Sequence, residues 1–277
     1  MGSLVGVHGV FNYRGVTDPS TAAREIAAKW REALGEAIGA MPFSAAYYAH
    51  LLRKPGHQAD GYSLDDLSPE AEAMVRAWLN AWGLDPGVPQ GIGTMPLRQA
   101  IGILAERVGS APAAVERLVA VFFPEVDRYL RGNTPHRTTI RAEVASAIAA
   151  AERPRIVLAH SLGSVVAYEA LSAYPHIEVE LLVTLGSPLA MPIVVFDRLD
   201  PAQRGGFGRR PAGVRRWINI TDRGDLVAIP KGGIKARFQD VDDDLETSVH
   251  WADFHTVGNY LQTEALARIL RPHLPAG

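Results

Sequence analysis

The sequence predicts an α/β protein in which a mainly parallel sheet is wrapped by helices. Short apolar runs alternate with amphipathic helical stretches along the chain, which is the pattern of such a fold. The composition agrees, because 47% hydrophobic and 21% charged residues in a chain of 277 are ordinary for a globular protein with a large core.

The strands are predicted from short apolar or aromatic-rich runs that turn residues interrupt. RIVLA (155–159) is a clear example of a buried strand, and the run that begins at Val179 ends at Gly186-Ser187-Pro188. In chain order, the predicted strands are residues 4–8, 43–49, 155–159, 179–185, 214–220 and 236–241.

The helices between these strands are predicted from apolar residues at helical spacing. The first opens at Pro19-Ser20-Thr21 and continues through Ile26, Trp30, Leu34 and Ile38. Further helices of the sheet region are predicted at residues 138–151, 162–173 and 257–270.

The segment 51–134 differs in character from the rest of the chain. Proline and glycine punctuate it, and each of its predicted helices begins at or beside a proline, which a first helical turn tolerates. These helices are predicted at residues 69–82, 96–108 and 112–130. Because the segment is too long for a plain loop, we interpret it as a helical cap inserted into a core formed by 1–50 and 135–277.

Charge, cysteine content and hydropathy exclude several classes of protein. The formal net charge of -2 is unlike that of a nucleic-acid binder, so no nucleic-acid partner is expected. The absence of cysteine excludes disulfides, thiolate zinc sites and cysteine nucleophiles. No apolar stretch approaches the ~18 residues that span a bilayer, and the N-terminus lacks a signal-peptide pattern. No stable membrane insertion and a cytoplasmic location are therefore expected, while the oligomeric state stays open.

Two charged clusters have simple interpretations. Asp240, Asp242, Asp243 and Asp244 lack the glycine and distal glutamate of a calcium-binding loop, so we expect a solvated acidic turn and no metal. The arginines between residues 204 and 216 could attract an anionic lipid or substrate, but a solvated loop is the favoured interpretation.

The strongest local motif is AHSLG (159–163), which follows a buried strand and precedes an apolar helix. A serine at such a strand-to-helix turn projects above the sheet, and small residues two positions away on each side allow the close approach. Gly163 meets this requirement, and Ala159 stands where glycine is usual. The pattern predicts Ser161 as a nucleophile, with the amide of Leu162 at the helix N-terminus as an oxyanion donor. The competing interpretation is a serine that only caps a helix.

The segment VHGV (7–10) ends the first predicted strand and is the candidate for a second oxyanion donor. Gly9 allows a tight turn that leaves the Val10 N–H free to donate. His8 is interpreted as a brace for this loop rather than as a catalytic group.

A serine nucleophile needs a base, and in this type of site the acid and then the histidine follow the serine along the chain. His255 and His250 are the candidates, and His255 is preferred because it lies at the start of the closing helix. Asp225 follows the strand at 214–220 and is the preferred acid, with Asp222 as the alternative.

Several segments resemble those of α/β-hydrolases, in particular lipase-like bacterial serine esterases. They are AHSLGSVVAYEAL (159–171), LVTLGSPL (182–189), WINITDRGDLVAIP (217–230), HTVGNYL (255–261) and, as a lead-in, FFPEVDRYLRGN (122–133). The resemblance implies a triad of Ser161, Asp225 and His255 with oxyanion amides from Val10 and Leu162. The sequence departs from the family at Ala159, where glycine is usual, and at Leu226, where a proline often follows the acid.

The resemblance also implies an α/β-hydrolase fold that starts at its usual third strand, with about six mainly parallel strands and helices on both faces. The expected reaction is hydrolysis of an ester, thioester or amide of a small-molecule acyl substrate, without a metal or organic cofactor. Acyl transfer to another acceptor, or a thioesterase reaction, is the first alternative, and a non-catalytic binding protein is the second. Five aromatic residues are candidates either for a substrate pocket or for plain core packing: Trp78, Trp82, Phe122, Phe123 and Tyr129.

Overall fold

A six-stranded sheet forms the centre of the protein. The structure is a computed structural model that describes residues 2–15, 18–52, 63–84, 96–131, 135–248 and 255–274. The strands of the sheet are β1 (Ser3–Val7), β2 (Phe43–Ala46), β3 (Arg155–His160), β4 (Val179–Leu185), β6 (Val214–Asp222) and β8 (Asp243–Thr247). Their order is β2-β1-β3-β4-β6-β8, and each neighbouring pair is parallel. Two short strands, β5 (Gly208–Arg209) and β7 (Phe238–Gln239), pair separately.

Helices cover both faces of this sheet. They are α1 (Pro19–Leu34), α2 (Pro69–Ala81), α3 (Leu97–Arg107), α4 (Pro112–Leu130), α5 (Pro135–Ala150), α6 (Leu162–Ala173), α7 (Gly233–Arg237), α8 (Val257–Leu261) and α9 (Glu264–Leu270). Apolar residues of α1, α8 and α9 form one hydrophobic cluster with the sheet, and apolar residues of α2 to α6 form the other. The prediction of a mainly parallel sheet with helices on both faces is confirmed.

The alternation of side chains along the central strands explains why these strands are apolar throughout. Ile156 and Leu158 of β3 belong to the cluster under α1, whereas Val157 and Ala159 belong to the cluster under α4 and α6. Successive residues of a strand point to opposite faces, so a strand covered on both sides buries every residue. The fold therefore rests on β1, β3 and β4 as its most deeply buried strands.

The helices of the segment 51–134 pack against the sheet as well as against one another. Trp78 of α2 and Phe123 of α4 are buried, and their rings lie 5.5 Å apart. Both belong to the same hydrophobic cluster as Val157 of β3. The segment thus shares its core with the sheet on the face that carries α5 and α6.

Two predicted elements near the C-terminus are wrong in their boundaries. The strand expected at 236–241 is replaced by α7 and the short β7, and the sixth strand of the sheet lies instead at Asp243–Thr247. This edge strand is exposed along much of its length and carries acidic residues, which hid it from a search for apolar runs. The helix expected at 257–270 is interrupted before Glu264, where the Thr263 side chain caps a new helix by accepting from the Leu266 N–H.

The acidic cluster is more ordered than the solvated turn that the sequence suggested. Asp242 accepts hydrogen bonds from the Trp217 N–H and from Arg210, and Asp244 accepts one from the Asn219 side chain. Acidic groups therefore hold the edge strand to β6.

Several arginines of the 204–216 stretch are exposed and pair with nearby side chains, as Arg215 does with Glu180. Within the described ranges, no helix is both long enough and apolar enough to cross a bilayer.

Candidate active site

The candidate site lies at the carboxyl ends of β1 and β3, in the middle of the sheet. From β1 the sheet continues to β2 on one side, and from β3 it continues to β4 on the other. In open parallel sheets, a crevice forms where the strand order reverses in this way, and ligands bind there. Ser161 directly follows β3, and Gly9 and Val10 follow β1, so both segments meet at this crevice.

Ser161 occupies a strained turn between β3 and α6. Its φ of 54° and ψ of -131° lie in a region that costs a residue with a side chain about 1–3 kcal/mol. Backbone contacts hold it there, since the Ser161 N–H donates to Leu185 O at 3.0 Å and Ser164 Oγ donates to Ser161 O at 2.6 Å. The Ser161 side chain is fully buried at this crevice, where its Oγ contacts His255.

Close packing around this turn requires small residues. A Cβ on Gly163 would lie 2.3 Å from His8 O, and a Cβ on Gly9 would lie 2.5 Å from Ser161 Cβ. The start of α6 is therefore pressed against the end of β1. Ala159 is fully buried, so its extra methyl group is accommodated in the core.

Three side chains form a hydrogen-bonded chain across the crevice. His255 Nε2 lies 2.6 Å from Ser161 Oγ, and His255 Nδ1 lies 2.8 Å from Asp225 Oδ2. The three residues come from the turn after β3, the loop after β6 and the residues before α8. With Nδ1–H donated to the carboxylate, Nε2 is free to accept the serine proton.

Asp225 is held by more contacts than this one. Its Oδ1 accepts from the backbone N–H groups of Val227 and Ala228 at 2.7 and 3.1 Å, and its Oδ2 also accepts from the Tyr260 hydroxyl at 2.6 Å. Burial alone raises the pKa of Asp225, but the adjacent His255 and the donated hydrogen bonds outweigh it and lower that pKa below 3.8. Asp225 is therefore an ionised carboxylate at neutral pH.

The two alternative residues have different positions. Asp222 is buried at the end of β6, where its backbone N–H donates to the Tyr260 hydroxyl, and the carboxylate that contacts His255 is that of Asp225. His250 lies outside the described residues.

The candidate oxyanion donors are the N–H groups of Val10 and Leu162. Both residues are buried, and neither N–H donates a hydrogen bond to any part of the chain that the structure describes. Asn12 fixes the loop that carries Val10, because its Nδ2 donates to Gly9 O at 3.1 Å and to Val10 O at 2.8 Å. Two buried donors beside a serine hydroxyl are suited to binding a developing negative charge.

Two further histidines near the site are uncharged. His8 Nδ1 lies 2.8 Å from Gly9 O, and His8 Nε2 accepts from the Tyr48 N–H, so this side chain braces the loop as expected. Burial lowers the pKa of His8 to about 4. His160 packs 4.9 Å from the His255 ring, and burial lowers its pKa well below 6.5. Neither ring therefore brings a positive charge beside His255 at neutral pH.

A cavity of about 660 Å³ opens beside His255. Its wall is formed on one side by Val10, Phe11 and Asn12 and on the other by α4, with Arg117 and Leu118. The five aromatic candidates do not line it. Trp78, Phe122, Phe123 and Tyr129 are buried core residues, and the indole N–H groups of Trp78 and Trp82 donate to Leu226 O, next to Asp225. Core packing therefore accounts for Trp78, Phe123 and Tyr129, while Trp82 is half-buried and the buried Phe122 lies edge-on to the His255 ring at 6.2 Å.

Three residues of the site were missed by the sequence analysis: Asn12, Tyr260 and Lys231. Lys231 Nζ donates to the backbone O atoms of Asp222 and Asp225 at 2.8 and 2.6 Å and so fixes the loop after β6. Tyr260 and Lys231 lie inside the segments HTVGNYL and WINITDRGDLVAIP or directly after them, but residue type alone did not indicate their contacts.

The fold and the site together define an α/β protein with a parallel six-stranded sheet and a Ser-His-Asp contact at its central crevice. No protein-family model matches the chain, and a search of the curated proteins finds no match either.

Proposed function

We propose that this protein is a serine hydrolase of the α/β-hydrolase type that cleaves an ester, thioester or amide through an acyl-enzyme on Ser161. The observation that carries the proposal is the hydrogen-bonded chain from Ser161 Oγ through His255 to Asp225, at a serine held in a strained turn. A serine that merely caps a helix has no need of a histidine and a buried carboxylate in this geometry.

The proposed reaction has two half-steps. In the first, His255 Nε2 takes the Ser161 proton as Oγ attacks the carbonyl carbon, and the N–H groups of Val10 and Leu162 bind the oxyanion. His255 then gives that proton to the departing alcohol, thiol or amine. In the second half-step, water loses a proton to His255 and attacks the acyl-enzyme, and His255 returns the proton to Ser161 Oγ as the acid is released. Asp225 keeps the imidazole in the correct tautomer throughout.

We further propose that α2, α3 and α4 form a cap over the site. The support is that α4 supplies Arg117 and Leu118 to the cavity beside His255. The indole contacts of α2 with Leu226 also link this segment to the loop that carries Asp225. A cap in this position would select the acyl substrate by shape.

The direct test is labelling with a fluorophosphonate probe, followed by mapping of the adduct. Wild-type protein is expected to be labelled on Ser161, and Ser161→Ala is expected to lose both labelling and ester turnover. Ser172→Ala, which removes a hydroxyl from the same helix away from the crevice, is the matched control and is expected to keep both. An adduct on another residue, or unchanged turnover in Ser161→Ala, would refute the proposal.

The role of the carboxylate has its own test. Asp225→Asn keeps the size of the side chain but removes the charge that orients His255, so kcat is expected to fall by about 10³-fold or more. Turnover rates of p-nitrophenyl esters measure this effect. A loss of less than tenfold would contradict the assignment of Asp225.

Product analysis with added alcohols or amines shows whether water or another nucleophile accepts the acyl group.

A further inference from the structure

A second, smaller cleft lies next to the cavity beside His255. It has a volume of about 180 Å³ and lies between the loop after β1, the side of α1 and the start of α8. Asn12 and Val257 line both cavities, so the two are adjacent and share a wall. The smaller cleft is therefore the neighbouring site to the cavity that His255 lines.

The smaller cleft contains two cationic side chains and no acidic one among the described residues that line it. The cations are Arg14, which is half-buried, and Lys29, which is exposed on α1. Glu25 and Glu32 lie on the same helix as Lys29, but neither lines this cleft or the larger cavity. Among the described residues, the charged side chains that line the cleft are therefore all positive.

Neither cation has a counter-ion in the described part of the chain. The Arg14 side chain makes no ion pair there, and its Nε is buried without a hydrogen-bond partner. Ten other arginines of the described ranges form ion pairs, including Arg137 and Arg141 with Glu169. Because an unsatisfied buried donor is costly and a guanidinium binds oxyanions with several donors, Arg14, which is unpaired among the described residues, indicates a place for an anionic ligand.

The charge of Arg14 also reaches the loop of the candidate site. Burial is the main cause of the low pKa of His8, and the positive charge of Arg14 lowers it further. Arg14 thus acts electrostatically on the segment that carries Val10. This agrees with the shared wall of the two cavities.

We propose that the natural substrate carries an anionic group, a carboxylate or a phosphate, which binds between Arg14 and Lys29 while the reactive carbonyl lies at Ser161. This proposal rests on the hydrolase function proposed above and specifies its substrate class. Arg14 and Lys29 are specificity residues in it. They take no part in bond making.

The kinetic test compares esters that differ only in charge. One pair is the mono-p-nitrophenyl ester of adipic acid and its methyl-capped form, and the other is phenyl acetate with and without a ring phosphate. The measured quantity is the ratio of kcat/KM for the anionic ester to that for the neutral ester of each pair. Wild-type protein is expected to prefer the anionic ester in at least one pair, and the preferred pair shows which of the two arrangements the cleft accepts, a carboxylate on the acyl side or a phosphate on the leaving-group side.

Substitutions then locate the preference. Arg14→Gln is expected to lower the ratio about tenfold, and Lys29→Gln about threefold because Lys29 is more exposed. Arg14→Lys is expected to keep part of the preference. Arg24→Gln is the matched control, because it removes an α1 cation that bonds to Ser20 and Thr21 outside the cleft, and it is expected to leave the ratio unchanged.

A binding measurement keeps this test independent of turnover. Calorimetric titration of Ser161→Ala with phenyl phosphate is expected to show binding that weakens about tenfold when Arg14→Gln is added. Equal ratios for charged and neutral esters together with no binding of phenyl phosphate would overturn the proposal. A larger loss in Arg117→Gln than in Arg14→Gln would also overturn it, since the anion would then lie on the opposite wall. If Ser161 is not labelled and no ester is cleaved, the hydrolase function fails, while the titration still decides the anion site.

Discussion

At the scale of single residues, the contacts around Asp225 are the most informative feature of the protein. A fully buried carboxylate is costly unless its oxygens are paired, and here two backbone N–H groups, the Tyr260 hydroxyl and His255 satisfy them. Gly186 leaves room for this arrangement, because a Cβ there would lie 2.7 Å from Asp225 Oδ2. The carboxylate is thus fixed before any substrate binds.

Tyr260→Phe tests how far this fixation matters. The substitution removes the donor to Asp225 Oδ2 and the acceptor of the Asp222 N–H, so the free energy of unfolding is expected to fall by about 1–2 kcal/mol. We also expect kcat to fall about tenfold with little change in KM, since the acid is less well oriented. Steady-state kinetics and urea unfolding measure the two effects. Tyr174→Phe is the control, and equal kcat values for both variants would contradict the positioning role of Tyr260.

The lowered pKa of His8 predicts that the free energy of unfolding depends on pH. The pKa of His8 is lowered from 6.5 to about 4 by burial, so between these values the unfolded chain binds a proton that the folded protein does not. The free energy of unfolding is therefore expected to fall as the pH is lowered from 6.5 towards 4. For His8 alone the loss is about 3 kcal/mol over that window.

Urea unfolding at several pH values between 4 and 7.5 measures this slope. His160 acts in the same direction because its pKa is also lowered, so His8→Gln is expected to reduce the slope and not to remove it. The same slope in wild type and His8→Gln would show that His8 is not buried in its neutral form.

At the scale of elements, the contact between the end of β1 and the start of α6 decides the geometry of the site. It brings the loop of Val10 beside Ser161, and it depends on the absence of side chains at Gly9 and Gly163. Because β1 pairs with β3 and α6 follows β3 directly through Ser161, neither element can move away without disturbing β3.

Gly163→Ala tests this contact. A Cβ at this position would lie 2.3 Å from His8 O and 2.4 Å from Val7 O, so β1 and α6 must separate. We expect a loss of stability of about 2 kcal/mol or more, together with loss of ester turnover as the donors move apart. Thermal unfolding and kinetics measure both.

Gly102→Ala is the matched control for this substitution. Gly102 also lies within a helix, α3, and a Cβ there meets nothing within 4 Å. Alanine is expected to stabilise the protein by about 0.5–1 kcal/mol at this position, because it favours the helix more than glycine does. Opposite signs for the two glycine substitutions are the result that supports close packing at the site.

At the scale of the whole molecule, a buried charged cluster joins the segment 51–134 to the sheet region. Glu169 of α6 pairs with Arg137 and Arg141 of α5, and it accepts a hydrogen bond from the Tyr129 hydroxyl of α4 at 2.7 Å. The Asp200 N–H, from the segment after β4, also donates to Glu169. One fully buried carboxylate therefore connects four parts of the chain.

Glu169→Gln is expected to be strongly destabilising. It removes the negative charge that two largely buried guanidinium groups share, while Arg141 keeps its pair with the half-exposed Asp200, and the cost is about 3–5 kcal/mol. Glu178→Gln is the control, because Glu178 pairs with Arg153 at the surface and its removal is expected to cost less than about 1 kcal/mol. Guanidinium unfolding of both variants measures the difference. Similar losses would mean that the cluster does not hold the fold together.

The sequence by itself determined the features that depend on local pattern. Continuous apolar runs predicted β3 and β4, and the boundaries of α4, α6 and β4 agree with the structure residue for residue. The order of residues along the chain reduced the histidines and acids to a few, and the preferred ones, Ser161, His255 and Asp225, lie in contact. Their catalytic role stays a prediction, since contact alone does not show reaction.

Only the tertiary structure decided the features that depend on contacts between distant residues. The edge strand at 243–247 has no apolar pattern of its own, and its pairing with β6 defines it. In the same way, Tyr260 of α8 contacts Asp225, and Arg14 and Lys29 of α1 line one cleft, because the fold brings separate segments of the chain together. Burial leaves a periodic pattern in the sequence, whereas a hydrogen bond or a shared cavity between distant residues leaves none, and the fold alone creates it.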